Sequence, residues 1–385
     1  MTRVIQRFLR FLKRPKQRCE FLRLPALARP KRGRVLFSYL IEPLEQNNLN
    51  YFHGHSNKWE SMEIARIFRM LGFDLDAVAW DNELFVPECS YDVVFDIYVN
   101  QQKWYYQTLS AKKMLHLTGS DWNYQNDSEL NRVAALEFRR RCNYFPRRIV
   151  PYSSLMARAL ELADSCSLIG NRHTLSTYPV NYHTKLTCIN VTASTSFIKN
   201  VSEYVPGERE FLWFFGGGAV HKGLDLLLEV FARNPHMTLN VVGDVCSEID
   251  FFAIFKYELT ECLNIKVHGY LEPTDQRFKN IINRCFCFIA PSCSEGMSVA
   301  VATCMQIGLY PIVSRDTGIN LPAGVGRYLE SCSVEEIETA IVTLFCTNPS
   351  IIGQEIAECQ KYALSEYSRE RFSASMKDYL GKALG

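Results

Sequence analysis

Two loops carry side chains suited to chemistry on a ligand that is both charged and rich in hydroxyls. The first is Ser294-Glu295-Gly296-Met297-Ser298, which follows the apolar run Cys285–Ala290 and opens the small, apolar stretch 297–307. Backbone N–H groups at such a helix start, together with the helix dipole, suit a diphosphate. The Glu295 carboxylate suits sugar hydroxyls instead, because these can donate to it. The second loop is FFGGGAVHKG, residues 214–223. Gly216, Gly217 and Gly218 let backbone approach a ligand closely. Lys222 adds a cation that would hold a diphosphate leaving group. Each loop also has a plainer reading. The first can be an ordinary βαβ turn with Glu295 as a helix-start residue. The second matches neither GxGxxG nor GxxxxGK[ST], and can be a tight turn beside a solvated lysine.

The elements that must position these loops follow from the hydrophobic pattern. Cys285–Ala290 is apolar without a break, which predicts a strand buried on both faces and therefore a parallel sheet. Ligands of such sheets bind beyond the carboxyl ends of the strands. Strands are predicted at 34–40, 75–79, 93–97, 113–117, 167–169 and 186–191, with helices at 59–71, 126–141 and 154–163 between them. Residues 201–209, VSEYVPGER, read as a linker. A second alternation follows: strands at 211–215, 239–242, 265–268, 285–290 and 310–313, and helices at 222–232, 250–262, 274–282, 297–307, 333–345 and 352–384. Two doubly wound α/β domains in tandem are the expectation.

Composition sets bounds on function. The 385 residues are 47% hydrophobic and 22% charged with net charge +2, so the whole chain has no basic excess that would make nucleic acid its partner. Fourteen cysteines are scattered without a CxxC pair, which argues against a disulfide scaffold or a zinc site and for a reducing compartment. No apolar run of roughly 18 residues predicts a transmembrane helix, and the start lacks a signal-peptide core. Positive charge is concentrated at the beginning. Arg3, Arg7, Arg10, Lys13, Arg14, Lys16, Arg18 and Arg23 face only Glu20, with Val4, Ile5, Phe8, Leu9, Phe11 and Leu12 among them. Residues 1–24 are therefore predicted as an amphipathic helix for an anionic membrane surface, the alternatives being a basic tail or a helix packed on the body.

The order of motifs resembles a known family. The glycine loop with HKGLDLLLEVF, then LNVVGD, IKVHGYL, FIAPSCSEG and MQIGLYPIVS, looks like the donor half of a GT-B glycosyltransferase of the group 1 (GT4) type. GHSNKWESMEIARIFRMLGFDLDAVAWD and KKMLHLTGS fit the first half more loosely. The resemblance implies two Rossmann-like domains facing a central cleft. Residues 1–33 would be the N-terminal segment and linker, 34–200 the acceptor domain, 201–209 the linker, 210–365 the donor domain and 366–385 a helix crossing back to the first domain. It implies that Lys222 contacts the donor diphosphate and Glu295 the hydroxyls of the transferred sugar. Gly216, Gly217, Gly218, Ser294, Gly296, Met297 and Ser298 would border the donor. His53, Gly54 and His55 would line the acceptor-side loop. His116 would be the histidine near the reacting sugar, a core histidine being the alternative.

Two positions depart from the family pattern. Thr303 stands where a second glutamate would hold ribose hydroxyls, and residues 216–220 lack the usual arginine, for which Arg172 or Arg315 are candidate substitutes. The implied activity is retaining transfer from a nucleotide-sugar to a glycan or lipid-linked acceptor in surface polysaccharide assembly. No bound metal or other cofactor is expected, and the location implied is cytoplasmic, peripheral on the inner face of the plasma membrane. Thr303 and the arginine-free loop keep open a catalytically silent module that binds glycan or a partner; an epimerase of the same fold is a further alternative.

Overall fold

The computed structural model describes residues 21–45, 56–193, 197–201 and 210–385. Of these, 21–45, 57–116 and 158–165 form one compact unit, and the rest, with Ser56, form a second.

In the first unit, strands β1 (Leu22–Leu24), β2 (Gly33–Tyr39), β3 (Phe73–Ala79), β4 (Val93–Asp96) and β5 (Lys112–Leu117) run in the order β1-β3-β2-β4-β5. β2 pairs in parallel with β3 and β4, and β4 with β5. Val35, Leu36 and Phe37 are consecutive and fully buried, so β2 is covered on both faces, as its unbroken apolar run requires. Helix α1 (Ser56–Met70) sends Ile64, Ile67 and Phe68 into this core.

The described end of the segment 1–24 departs from expectation. Residues 22–24 are not the tail of an amphipathic helix but a strand antiparallel to β3. Alternation decides it: Leu22 and Leu24 turn inward, while Arg23 turns out and donates to Asp76 at 2.9 Å. Residues 25–32 are docked as well. Ala26 N donates to Asp74, and Leu27 N and Arg32 N donate to carbonyls at the end of α1.

The second unit contains α2 (Trp122–Arg140) and the parallel pair β6 (Ser165–Ile169) and β7 (Leu186–Ile189). It also holds a six-stranded sheet: β8 (Glu210–Phe214), β9 (Thr238–Val242), β10 (Ile265–Gly269), β11 (Cys285–Ala290), β12 (Tyr310–Ser314) and β13 (Arg327–Leu329). The order is β10-β9-β8-β11-β12-β13, all parallel. The chain winds outward from β8 and then returns to β11 beside it. That reversal of winding direction makes the β8/β11 boundary the place where a parallel sheet opens a crevice. Helices α3 (Leu224–Arg233), α4 (Val299–Ile307), α5 (Val334–Cys346), α6 (Pro349–Glu366) and α7 (Arg369–Leu384) follow.

Two helices expected as single are broken. Residues 250–262 split into Ile249–Ile254 and Lys256–Thr260 at Phe255, whose ring is fully buried 4.4 Å under the Arg140 guanidinium. The last helical run breaks between α6 and α7 at Tyr367, whose buried hydroxyl donates to Asn320 O at 2.9 Å, and Ser368 caps α7 by accepting from Arg371 N. Ala193 N donates to Tyr367 O, and α7 packs on β7, a strand from the first half of the sequence.

Candidate active site

Because β8 and β11 are parallel neighbours, the two loops singled out by sequence leave the sheet side by side at its carboxyl edge. Lys222 lies in a turn ahead of α3 rather than in its first residues; its N–H donates to Gly218 O at 2.9 Å, and its carbonyl accepts from Trp213 Nε1 at 3.1 Å. The side chain crosses to the neighbouring loop and pairs with Glu295, which also accepts from Ser292 Oγ at 3.2 Å. The pair is nearly shut away from water, with 8% and 14% of the two side chains exposed. Burial pushes the Glu295 carboxyl up, but the Lys222 ammonium beside it, with His221 and Arg148, outweighs burial and holds it below the usual carboxylate range. Burial draws the Lys222 ammonium down, against the pull of Glu295.

The glycine loop uses its N–H groups differently from expectation. Gly218 N and Ala219 N both donate to Glu248, at 2.7 and 3.2 Å, and Tyr144 Oη donates to the other oxygen of that carboxylate at 3.0 Å. These two amides are therefore committed to an internal anion. Gly218 adopts φ +81°, and a side chain there would meet the stem of Arg148, so only glycine fits on both counts. Gly216 is exposed and an added Cβ would meet nothing within 4 Å; at Gly217 only Glu248 comes that near.

His221, the residue before Lys222, was not singled out by sequence reasoning, and it ties the site together. Its Nε2 donates to Ser294 O at 2.6 Å, and its Nδ1 contacts the Glu129 carboxylate on α2. Burial raises the Glu129 carboxyl; His221 and the amides of Arg147 and Arg148 outweigh this and lower it. An ionised carboxylate only accepts, so the contact places a hydrogen on Nδ1 as well. Cys293 N donates to His221 O at 2.9 Å, and Cys293 Sγ lies 3.5 Å from Nδ1. Glu129, His221 and Cys293 thus gather three metal-ligand types. Both His221 nitrogens are engaged within the protein, one with Ser294 O and the other with Glu129.

The Glu295 loop is fixed on every side. Ser294 Oγ bonds to Ser120 Oγ, Ser314 Oγ donates to Ser292 O at 2.6 Å, and Thr174 Oγ1 donates to Gly296 O at 2.7 Å. At Gly296 a Cβ would come within 2.6 Å of the carbonyl oxygens of Thr118 and Ile169, a backbone approach closed to other residues. Met297 is buried with Val191 N 3.3 Å from its Sδ, and Ser298 is the N-terminal residue before α4, its N–H donating to Thr317 O. Thr303 is buried within α4. His116 belongs to the first unit. It is fully buried on β5, stacked on Phe95 and edge-on to Tyr39, each with ring centroids 5.8 Å apart. Arg315 is engaged with Glu330 and lies over Tyr328, and Arg172 is exposed on the surface. His53, Gly54 and His55 lie outside the described residues, as does most of the segment 1–24.

Helix α2 and the turn after it dock on the same edge of the second unit. Arg139 pairs with Asp225, Arg140 with Glu229 and Glu258, and Arg147 with Asp250. Residues 209–346 match the family of glycosyl transferases group 1. Sucrose-phosphate synthase from Thermosynechococcus elongatus superposes with a TM-score of 0.65 at 11% identity, over 92% of this chain and 99% of that one. By fold the chain is of the GT-B type. Two further GT-B neighbours are Anabaena HepE, solved with UDP-glucose (TM-score 0.55, 12% identity, 91% of this chain and 100% of that one), and WaaG, a glycosyltransferase involved in lipopolysaccharide biosynthesis (0.55, 12%, 90% and 100%). No curated protein matches this GT-B chain by sequence. Among its described residues no helix is long and apolar enough to cross a membrane.

Proposed function

We propose that the protein transfers a sugar from a nucleotide-sugar donor to a glycan or lipid-linked acceptor, with retention of anomeric configuration and without a resident metal. The observation that carries this reading is the buried Lys222–Glu295 pair at the β8/β11 crevice. One partner suits a departing diphosphate and the other the hydroxyls of the sugar it leaves. In the reaction the bond between the anomeric carbon and the donor phosphate oxygen breaks with its electron pair going to the diphosphate, and the acceptor hydroxyl forms the new bond and passes its proton to that departing diphosphate. Lys222 opposes the charge that grows on the diphosphate. Glu295, held ionised by Lys222 and anchored through its loop by His221, orients the sugar. HepE, solved with UDP-glucose, supports testing uridine donors first.

A binding-only module is the competing reading. Two observations favour it: Glu248 occupies loop amides, and Thr303 stands buried where a charged ribose partner would be. Incubation with UDP-glucose and other nucleotide-sugars, followed by proton NMR of the anomeric region, separates the two. Release of nucleoside diphosphate with an α-linked product from an α-linked donor, lost in Lys222→Ala, supports transfer. Turnover of no donor, with no nucleotide bound, supports the module.

Attachment to an anionic membrane surface through the basic N-terminal residues is part of the same proposal. Since 22–24 belong to the sheet, the chain to test lacks residues 1–20 only. Undiminished co-sedimentation of that chain with anionic vesicles would remove the anchor from the proposal.

A further inference from the structure

The cations nearest the crevice are mostly spoken for. Lys222 pairs with Glu295, His221 with Glu129, Arg139 with Asp225, Arg140 with Glu229 and Glu258, and Arg147 with Asp250. Arg148 differs. Its side chain is exposed and makes no hydrogen bond or ion pair among the described residues. Its backbone is clamped instead: its N–H donates to Glu129 Oε1 at 3.1 Å, and its carbonyl accepts from Gln125 Nε2 at 2.5 Å. Its Cγ and Cδ pass 2.9 and 3.1 Å from where a Cβ on Gly218 would stand. The glycine loop is thus the groove along which the arginine stem runs. Its charge reaches both members of the buried pair, lowering Lys222 and Glu295 alike. Beyond it, Gly216 leaves open space and Gly217 has no side chain to fill it.

We propose that Arg148, delivered from the turn after α2, is the residue whose guanidinium binds the phosphate groups of the donor at the glycine loop. The proposal rests on the nucleotide-sugar reading above. A planar fork of donors held at its stem but unbonded at its head is preorganised for a bidentate oxyanion. It also gives a reason for glycine at position 218, where a side chain would occupy the space the arginine stem takes.

The test is calorimetric titration of the full-length protein, its Arg148→Ala and its Arg148→Lys variants with UDP, GDP, ADP, CMP, the matching nucleosides and inorganic pyrophosphate. Arg148 is exposed, so the variants should fold; thermal unfolding curves check this. The expected result is that one nucleotide and pyrophosphate bind the wild type. Arg148→Ala should weaken both on the order of ten- to a hundredfold, the range of a hydrogen bond to a charged group. Nucleoside binding should be unchanged, and Arg148→Lys should recover part of the loss. Equal nucleotide binding by wild type and Arg148→Ala overturns the assignment and leaves the donor reading standing. Arg148-dependent pyrophosphate binding with no nucleotide binding keeps Arg148 as an anion site and overturns the donor reading. Binding of neither by the wild type overturns both.

Discussion

Glu129 and His221 lie 92 residues apart in sequence and meet as a buried hydrogen-bonded pair, one on α2 and the other in the glycine loop. Through Nε2 the same imidazole holds Ser294 O, so one side chain joins α2, the Lys222 loop and the Glu295 loop. Glu129 also takes the amides of Arg147 and Arg148 on its other oxygen. A change at this pair should therefore be felt at three places at once.

Glu129→Ala leaves the buried His221 Nδ1 without its hydrogen-bond partner, a change that costs about 1–3 kcal/mol. It also frees two amides. Hydrogen exchange at Arg147 and Arg148 should accelerate along with the loss in urea stability. Protection unchanged at those amides would show that the turn is held by other contacts.

Lys222→Ala strands the Glu295 carboxylate in a site with little water and should destabilise by about 3 kcal/mol. The double variant Lys222→Ala/Glu295→Ala removes both charges and should recover part of that loss. A double-mutant cycle in urea measures the coupling. If the two single changes simply add, the pair is not a unit.

Acid should weaken the fold in two windows. His116 is fully buried, and burial lowers its pKa from 6.5 to about 4. Between those values the unfolded chain binds a proton that the folded chain refuses. The stability held above pH 6.5 is thus lost as pH falls towards 4, by up to about 3 kcal/mol. His116→Phe should flatten the slope of stability against pH across this window. Equal slopes would show that the ring titrates freely. Glu129 and Glu295 act lower: their depressed carboxyls add stability above the ordinary carboxylate value of 4.5 that is lost as pH falls through their folded values.

Gly296→Ala drives a methyl to within 2.6 Å of two carbonyl oxygens on other segments. Backbone cannot rotate aside as a side chain can, so the loop must shift, at about 1–3 kcal/mol. The melting temperature should fall and, where the donor reading holds, donor turnover should fall further than stability alone explains. An unaltered melting temperature would show that the loop yields.

What the sequence determined by itself is what local pattern can encode. The unbroken apolar run Cys285–Ala290 announced a doubly covered parallel strand, and the strand–glycine–helix order announced two α/β sheets and the two loops at their carboxyl edges. Lys222 and Glu295 stood out because both follow strands and carry charge where a parallel sheet opens. Pattern missed β1, because three residues are too few for a period. It joined helices that break at Phe255 and Tyr367, two rings buried against other segments. Only the tertiary structure decided how the loops are held. Glu129, Tyr144 and Arg148 read as ordinary residues of a helix and a turn, and Glu248 as a polar loop residue. The docking of α2 and its turn brings Glu129 onto the imidazole, Tyr144 onto Glu248 and the Arg148 stem over Gly218, while Glu248 reaches the loop amides from the segment after β9. Hydrogen bonds and ion pairs between segments depend on positions in space, and spacing along the chain carries no record of them.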